Sequence, residues 1–481
     1  MEKEPNTPHS GNGIERQEAL LLPDSSSTFP LNDTISSEEY TTDSSDMKPE
    51  ASADHVHKKG SSFNAFVNIL CLAIGVGSLQ LAYIVKQSGW IGTTFIVFAA
   101  GIAFLNAVIT IKCMYLKPGG GRIVGYHNIG FEAFGNAGYY TITVFNIVNI
   151  IGSIGIYVIL ASNNISDMFA QANVHISPRT LMIASATVMC MPTLFAKTLA
   201  ETMLVSLIGT LTSVIVTVVV IVMACLYPIR NGENPVGNYT GPISHSAAIP
   251  GGFAMALSSV TFAYLGTTIV PHIEGGMRHP EKFNRVFGSA LSVIAAIYVV
   301  MAATGYWAYG DQTMSPITDN FPKSKCLYYC VVFIANSIVP IAWPTTLAEI
   351  CITIHVLFAG PLYLVQMSLE IESGLGILQK KPQAQRVWRM AVRIGSALVI
   401  LAIAEAIPFF DDVIALVGAL TNPVLIYLAP IACYVKLKGW RNCSRISLVG
   451  LALLLAFGMA ISGFGLVQTI FDIIKSFKGT K

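Results

Sequence analysis

This sequence predicts an all-α polytopic membrane protein, and three observations predict it. Hydrophobic residues fill 53% of the 481 positions and charged residues only 12%, with a mean hydropathy of +0.60. The apolar residues come in long blocks parted by short basic or Gly/Pro-rich loops, each block near the roughly 20 residues that cross a bilayer core. Two blocks are interrupted near their middle, one within Ala73–Tyr83 at Gly75 to Ser78, the other within Thr261–Pro271 at Leu265 to Thr268.

The interruptions carry the functional reading. Glycine weakens a helix and admits unusual backbone angles, and in hydrocarbon a freed N–H or C=O must find a partner or line a cavity. A break at mid-membrane depth therefore suggests a binding site, and two breaks in corresponding halves suggest a transporter with internal repeats. Each break exposes amides that suit a carboxylate and carbonyls that suit an ammonium group or cation. A zwitterionic amino acid is the simplest ligand with both.

In chain order, residues 1–60 are rich in Ser, Thr, Asp, Glu, Pro and Asn, too polar to offset ordering entropy, and are expected to form a disordered cytosolic tail. The remaining domain, 61–475, is expected to hold eleven spans, near 63–85, 88–112, 139–167, 179–195, 201–227, 250–276, 285–309, 346–369, 389–408, 412–435 and 447–471. Tyr126 to Phe134 reads as a short interfacial helix.

Basic residues set the orientation. With the N-terminus cytosolic, the inside loops hold Lys112, Lys117, Arg122, Lys197, Arg278, Lys282, Arg285, Lys380, Lys381, Arg386, Arg389, Arg393, Lys436, Lys438, Arg441 and Arg445. The outside segments hold fewer, Lys86, Arg179, Arg230, Lys323 and Lys325 plus those of the short C-terminal tail, which follows the positive-inside rule. That orientation puts Asn238-Tyr-Thr240, a glycosylation acceptor pattern, in the longest non-cytosolic loop. Cys326 to Trp343 is a further apolar run too short to span, expected as a re-entrant or luminal segment.

A net charge of +2 makes no electrostatic case for nucleic acid. Most of the nine cysteines (Cys71, Cys113, Cys190, Cys225, Cys351, Cys433) sit inside apolar blocks with no metal-binding spacing. No cofactor and no metal site is expected. Neither H-E-x-x-H, G-x-S-x-G nor Walker A occurs, so the chain does not read as an enzyme.

Several motifs together resemble the amino acid/auxin permease family, which includes proton-coupled, vesicular and vacuolar amino acid transporters. They are Gly75-Val-Gly-Ser-Leu-Gln-Leu-Ala-Tyr83 with Lys86-Gln-Ser-Gly-Trp90, Phe262-Ala-Tyr-Leu-Gly266 leading to Met277-Arg-x-Pro280, and Gly305-Tyr-Trp-Ala-Tyr-Gly310. Ile354-His-Val-Leu-Phe-Ala-Gly-Pro-Leu362 and the stretch from Ile407 to Leu420 extend the match across residues 61–471. The resemblance implies a LeuT-like fold with a 5+5 inverted repeat whose broken helices 1 and 6 hold the substrate. Ala82 stands where the family usually has proline, and Thr267 where several members have His or Gln.

The candidate substrate-binding residues are Gly75, Val76, Gly77 and Ser78 at the first break, and Phe262, Ala263, Tyr264, Gly266 and Thr267 at the second. Gly75 and Gly77 equally suit close helix packing. Tyr264 suits a lid over substrate or a filler of the bundle interior. Asn146, Asn149, Ser153 and Tyr157 share one helix face, facing either a cavity, with Asn149 the substrate contact, or partner helices.

Coupling to a proton gradient needs a titratable group, and His355 and Glu349 on the eighth span are the candidates. Glu405, beside Asp411 and Asp412, reads as lying at the outer water interface. The expected function is secondary active transport of amino acids by alternating access, in a vacuolar, lysosomal or vesicular membrane or the plasma membrane. A receptor-like sensor that binds amino acids without flux is the alternative. Oligomeric state is not legible.

Overall fold

The computed structural model describes residues 61–171, 174–195, 203–229, 242–264, 270–321, 343–377, 380–406 and 410–479. The expected tail, Asn238, Gly266, Thr267, and the apolar run from Cys326 up to residue 342 lie outside them. The described residues form helices and no β-strand.

The first apolar block is two helices. α1 (Ser62–Ala73) is capped by Ser61, whose Oγ accepts from the Asn64 N–H at 3.2 Å. It stops at Ile74, and the 3-10 turn Val76–Gln80 leads into α2 (Leu81–Ser88). Then follow α3 (Gly92–Met114), α4 (Tyr126–Gln171), α5 (Pro178–Phe195) and α6 (Met203–Leu226).

The second broken block is α7 (Phe253–Ala263) and α8 (Val270–Gly275). After it come α9 (Phe283–Tyr309), α10 (Trp343–Gly374), α11 (Pro382–Ala406), α12 (Phe410–Asn422), α13 (Ala429–Lys438) and α14 (Arg445–Gly479). Among the described residues, seven helical stretches are long and apolar enough to cross a membrane. In α14 only 11% of the apolar window is buried, and in α11 17%, leaving apolar faces that need hydrocarbon around them.

α4 is two helices joined across a kink at Gly135 (φ 63, ψ −148), an angle that glycine adopts without strain, so Tyr126 to Phe134 forms the short helix expected ahead of the third span. One expectation is corrected. α11 begins at Pro382, so Arg386, Arg389 and Arg393 lie on a helix rather than in a loop. Arg393 is only 4% exposed and pairs with Glu372 at 3.4 Å, which Arg389 also bonds at 2.7 Å. Glu405, expected at the outer water interface, is exposed, whereas Asp412 is buried.

Pro423 removes a backbone donor from the helix that α12 begins, and the chain widens there into a π-helical turn, Pro423–Leu428. Tyr126 donates to the Leu425 carbonyl in that turn at 2.6 Å.

Two clusters of buried side chains organise the described residues. One gathers apolar residues of α1, α2, α3, α7, α9 and α13, including Ile74, Leu81, Ala263 and Tyr298. The other gathers those of α4, α5, α6, α10, α11 and α12, and takes in Val76, Leu79 and Ala82, with Phe262 packed against it. The first break and the end of α7 therefore lie on the seam between the clusters.

α8 is too short to hold itself and is pinned from outside. Glu274, 1% exposed, accepts from Arg122 Nη2 at 2.6 Å and Nε at 2.9 Å, while Arg122 Nη2 also donates to Pro271 O at 2.7 Å. Tyr115 donates to the same carboxylate. Burial, together with the Glu274 bond and charge, raises the Tyr115 pKa above its ordinary value.

Removing one partner of a buried ion pair leaves the other charge uncompensated. Arg122→Gln is expected to lower unfolding stability by about 3 kcal/mol, and Arg122→Gln with Glu274→Gln by less. A double-mutant cycle in denaturant, showing equal losses for the single and double variants, would remove this pair from the account of α8.

Candidate substrate site

The first break is a short gap in backbone pairing. Ile74 N–H still bonds Leu70 O at 2.9 Å, but Gly75 turns to φ −136, ψ −150 and its N–H folds back to Ala73 O at 2.8 Å. The opening N–H groups of a helical turn, here those of Val76 and Gly77, have no partner within the turn. Ser78 differs from its expected role. Its N–H and hydroxyl both donate to Gly75 O, at 3.0 and 2.8 Å, and it is buried.

The end of α7 meets the first break. A Cβ on Gly77 would lie 3.2 Å from Ala263 Cα and 3.3 Å from Ala263 Cβ, tighter than side chains ordinarily pack, so the glycine favours this close approach. Gln80 reinforces the contact by donating to Ser259 O at 3.4 Å. Gly75 and Gly77 remain partly exposed between buried neighbours, so the site opens at the glycines.

α7 ends at Ala263, and Tyr264 caps it at φ −97, ψ 13. Tyr264 is 5% exposed, and its hydroxyl has no hydrogen-bond partner among the described residues. Phe262 packs on the opposite cluster and is partly buried. Gly266 and Thr267 lie outside the described residues.

His355, the expected proton-coupling candidate, lies beside the first break. It is 4% exposed, on α10, and a Cβ on Gly75 would sit 3.3 Å from its Nε2. Its Nδ1 lies 2.8 Å from both Gly209 O and Ser213 Oγ on α6. A carbonyl only accepts, so Nδ1 carries the proton and Nε2 presents its lone pair to the first break. Glu349 is buried on the same helix, and its backbone carbonyl accepts from Thr353 Oγ1 at 2.6 Å.

The polar stripe on α4 faces helices. Asn146 Nδ2 donates to both oxygens of Glu370, at 2.9 and 3.0 Å, and Asn149 Nδ2 donates to Thr421 Oγ1 at 3.1 Å. Ser153 Oγ donates to Asn149 O at 2.9 Å, and the Tyr157 ring lies 6.4 Å from His355. Asn149 is thus engaged with α12, next to Asn422, which in turn donates to Thr261 Oγ1 at 2.8 Å and Ser258 O at 3.2 Å on α7.

Residues 58–471 match the family described as transmembrane amino acid transporter protein. The chain belongs to that family. Among its relatives, amino acid transporter AVT1B of Arabidopsis thaliana is 26% identical over 444 residues, covering 89% of this chain and 75% of the relative. AVT1D of the same plant is 26% identical over 393 residues, covering 79% of this chain, which spans 64% of AVT1D's length. The vesicular inhibitory amino acid transporter of Xenopus tropicalis is 22% identical over 431 residues, covering 87% of this chain and 78% of the relative.

Solved structures agree on the fold. A nucleobase-cation-symport-1 family transporter, in a closed conformation with bromovinylhydantoin bound, superposes with TM-score 0.53 at 11% identity, covering 88% of this chain and 93% of that one. A Na+-coupled sialic acid symporter in a substrate-bound outward-open state gives TM-score 0.53 at 13% identity, covering 85% and 88%. The fold is LeuT-like, and the chain is an integral membrane protein of a transporter family, not of an enzyme family.

Proposed function

We propose that this protein moves amino acids across its membrane by alternating access, with the two buried clusters rocking about the seam that holds the first break and the end of α7. The observation that carries the reading is the contact of Gly77 with Ala263, which puts two interrupted helices at one partly open point. There the Val76 and Gly77 amides take the substrate carboxylate, and Tyr264 contacts or covers the rest. Pairing α1 with α2, α7 with α8, and α12 with α13 gives eleven spans, in keeping with a 5+5 repeat.

A proton gradient is the proposed driving force, and His355 the proposed carrier. A proton taken up at Nε2 makes a cation facing the first break, where it favours a bound carboxylate. Proton and substrate then load together. Glu349, on the same helix, is the second candidate. The sensor alternative has no support among the relatives, which are transporters by name.

The test is amino acid flux into proteoliposomes with an imposed pH gradient, using neutral, acidic and basic substrates and a collapsed gradient as control. Accumulation that vanishes with the gradient supports the reading, whereas binding without flux would favour a sensor. The vesicular relative favours an organelle membrane of vacuolar, lysosomal or vesicular type. With the N-terminus in the cytosol, Asn238→Gln is expected to abolish glycosidase sensitivity, and unchanged sensitivity would move that loop's proposed modification elsewhere.

A further inference from the structure

The last carbonyls of a helix lack partners within it and carry the negative end of its dipole. In hydrocarbon they need a donor or a cation, and transporters with discontinuous helices often hold Na+ at such ends. Here α1 and α7 end together, and both ends meet one side chain. Tyr298 of α9 donates to Ala73 O, the last residue of α1, and its hydroxyl lies 3.3 Å from Ala263 O, the last residue of α7.

The phenol is built into place. Tyr298 is 0% exposed, and its ring lies 5.1 Å from that of Tyr264. The transport reading gives this residue no role, since its substrate amides are those of Val76 and Gly77 and its proton carrier is His355. One neutral O–H thus lies between two carbonyl ends, where a bound cation would sit, and is a second donor to Ala73 O, which also accepts from the Gly75 N–H at 2.8 Å.

We propose that the Tyr298 hydroxyl stands in for a coupling metal ion, so that transport needs no alkali cation, and that a shorter side chain there turns the Ala73 and Ala263 carbonyls into a cation site. The inference rests on the transport reading only for its flux measurement. Tyr298 is a positioning residue: it joins the two half-helices and touches no substrate.

The experiment compares wild type, Tyr298→Phe and Tyr298→Ser in proteoliposomes under one fixed pH gradient, in Na+, Li+, K+ or N-methylglucamine. Wild-type flux is expected to be the same in all four. Tyr298→Phe keeps the ring and removes the donor, so flux falls about tenfold in every salt, the cost of losing the buried hydrogen bond that joins the two half-helices. Tyr298→Ser is expected to be slow in N-methylglucamine and to recover about threefold or more in Na+ or Li+, with each recovered factor of ten worth about 1.4 kcal/mol.

Thermal unfolding of the purified proteins reads the site without flux. Na+ or Li+ raises the melting temperature of Tyr298→Ser and leaves that of wild type unmoved. A wild type that requires Na+, a Tyr298→Phe variant with wild-type flux, or a serine variant indifferent to cations in both measurements overturns the inference. Wild type without flux, combined with a cation-stabilised serine variant, overturns the transport reading and sustains the role of Tyr298.

Discussion

Gly77→Leu is expected to abolish substrate binding while leaving the protein folded in the membrane. Already the first added carbon meets the backbone at the end of α7, 3.2 Å from Ala263 Cα, and backbone pinned by Tyr298 cannot move aside as a flexible side chain would. The leucine must therefore either fill the opening at the glycines or push α7 away from α1. Both displace the Val76 and Gly77 amides from the position where they would meet a carboxylate, and misplacement by about 1 Å costs a bound reactant about 100-fold.

Gly77→Ala, with only the first carbon, is expected to weaken binding by an intermediate amount. Equilibrium binding of a radiolabelled amino acid to the purified variants measures both, with the melting temperature as the check on folding. Wild-type affinity in the leucine variant would move the substrate site elsewhere.

His355→Gln should separate accumulation from exchange. Glutamine keeps a donor for Gly209 O but cannot take up a proton, so the side chain remains neutral at any pH in which the protein is folded. Gradient-driven accumulation is expected to fall to the level seen with a collapsed gradient, while counterflow of labelled against unlabelled substrate continues. A pH-sensitive dye inside the vesicles should report no substrate-dependent proton entry. Accumulation at the wild-type level would remove His355 from the proton path and shift the role to Glu349.

Much of the fold was legible because hydropathy is a local property. Long apolar blocks mark the helices, and glycines inside two of them mark where α1 and α7 stop. The misplaced boundaries share a cause. A hydropathy window ends at the first charges, so the eighth span was expected to stop before Glu370, yet α10 runs to Gly374. Asn146 bonds Glu370, and Arg389 and Arg393 bond Glu372, so charges that look like a loop are paired inside a bundle.

The site was legible in part for the same reason. Gly75, Gly77, Tyr264 and His355 stand out as residues ill-suited to lipid, and the structure gathers all four at one seam. Asn149 stands out equally, but Thr421 engages it. Ser78 looked like a donor for substrate, and its hydrogen bonds return to Gly75 O. Tyr298 gave no signal, since an aromatic residue in an apolar helix is ordinary until its hydroxyl has a partner.

By itself, then, the sequence determined that this is a polytopic helical protein with two interrupted spans and the motifs of an amino acid transporter family. Those properties follow from composition along the chain and from the cost of unpaired backbone in hydrocarbon. Only the tertiary structure decided that the first break touches the end of α7, that His355 turns Nε2 towards that break, and that one phenol ties the ends of α1 and α7. Each depends on which buried polar group finds which partner, and helices far apart in sequence supply those partners only once they are packed.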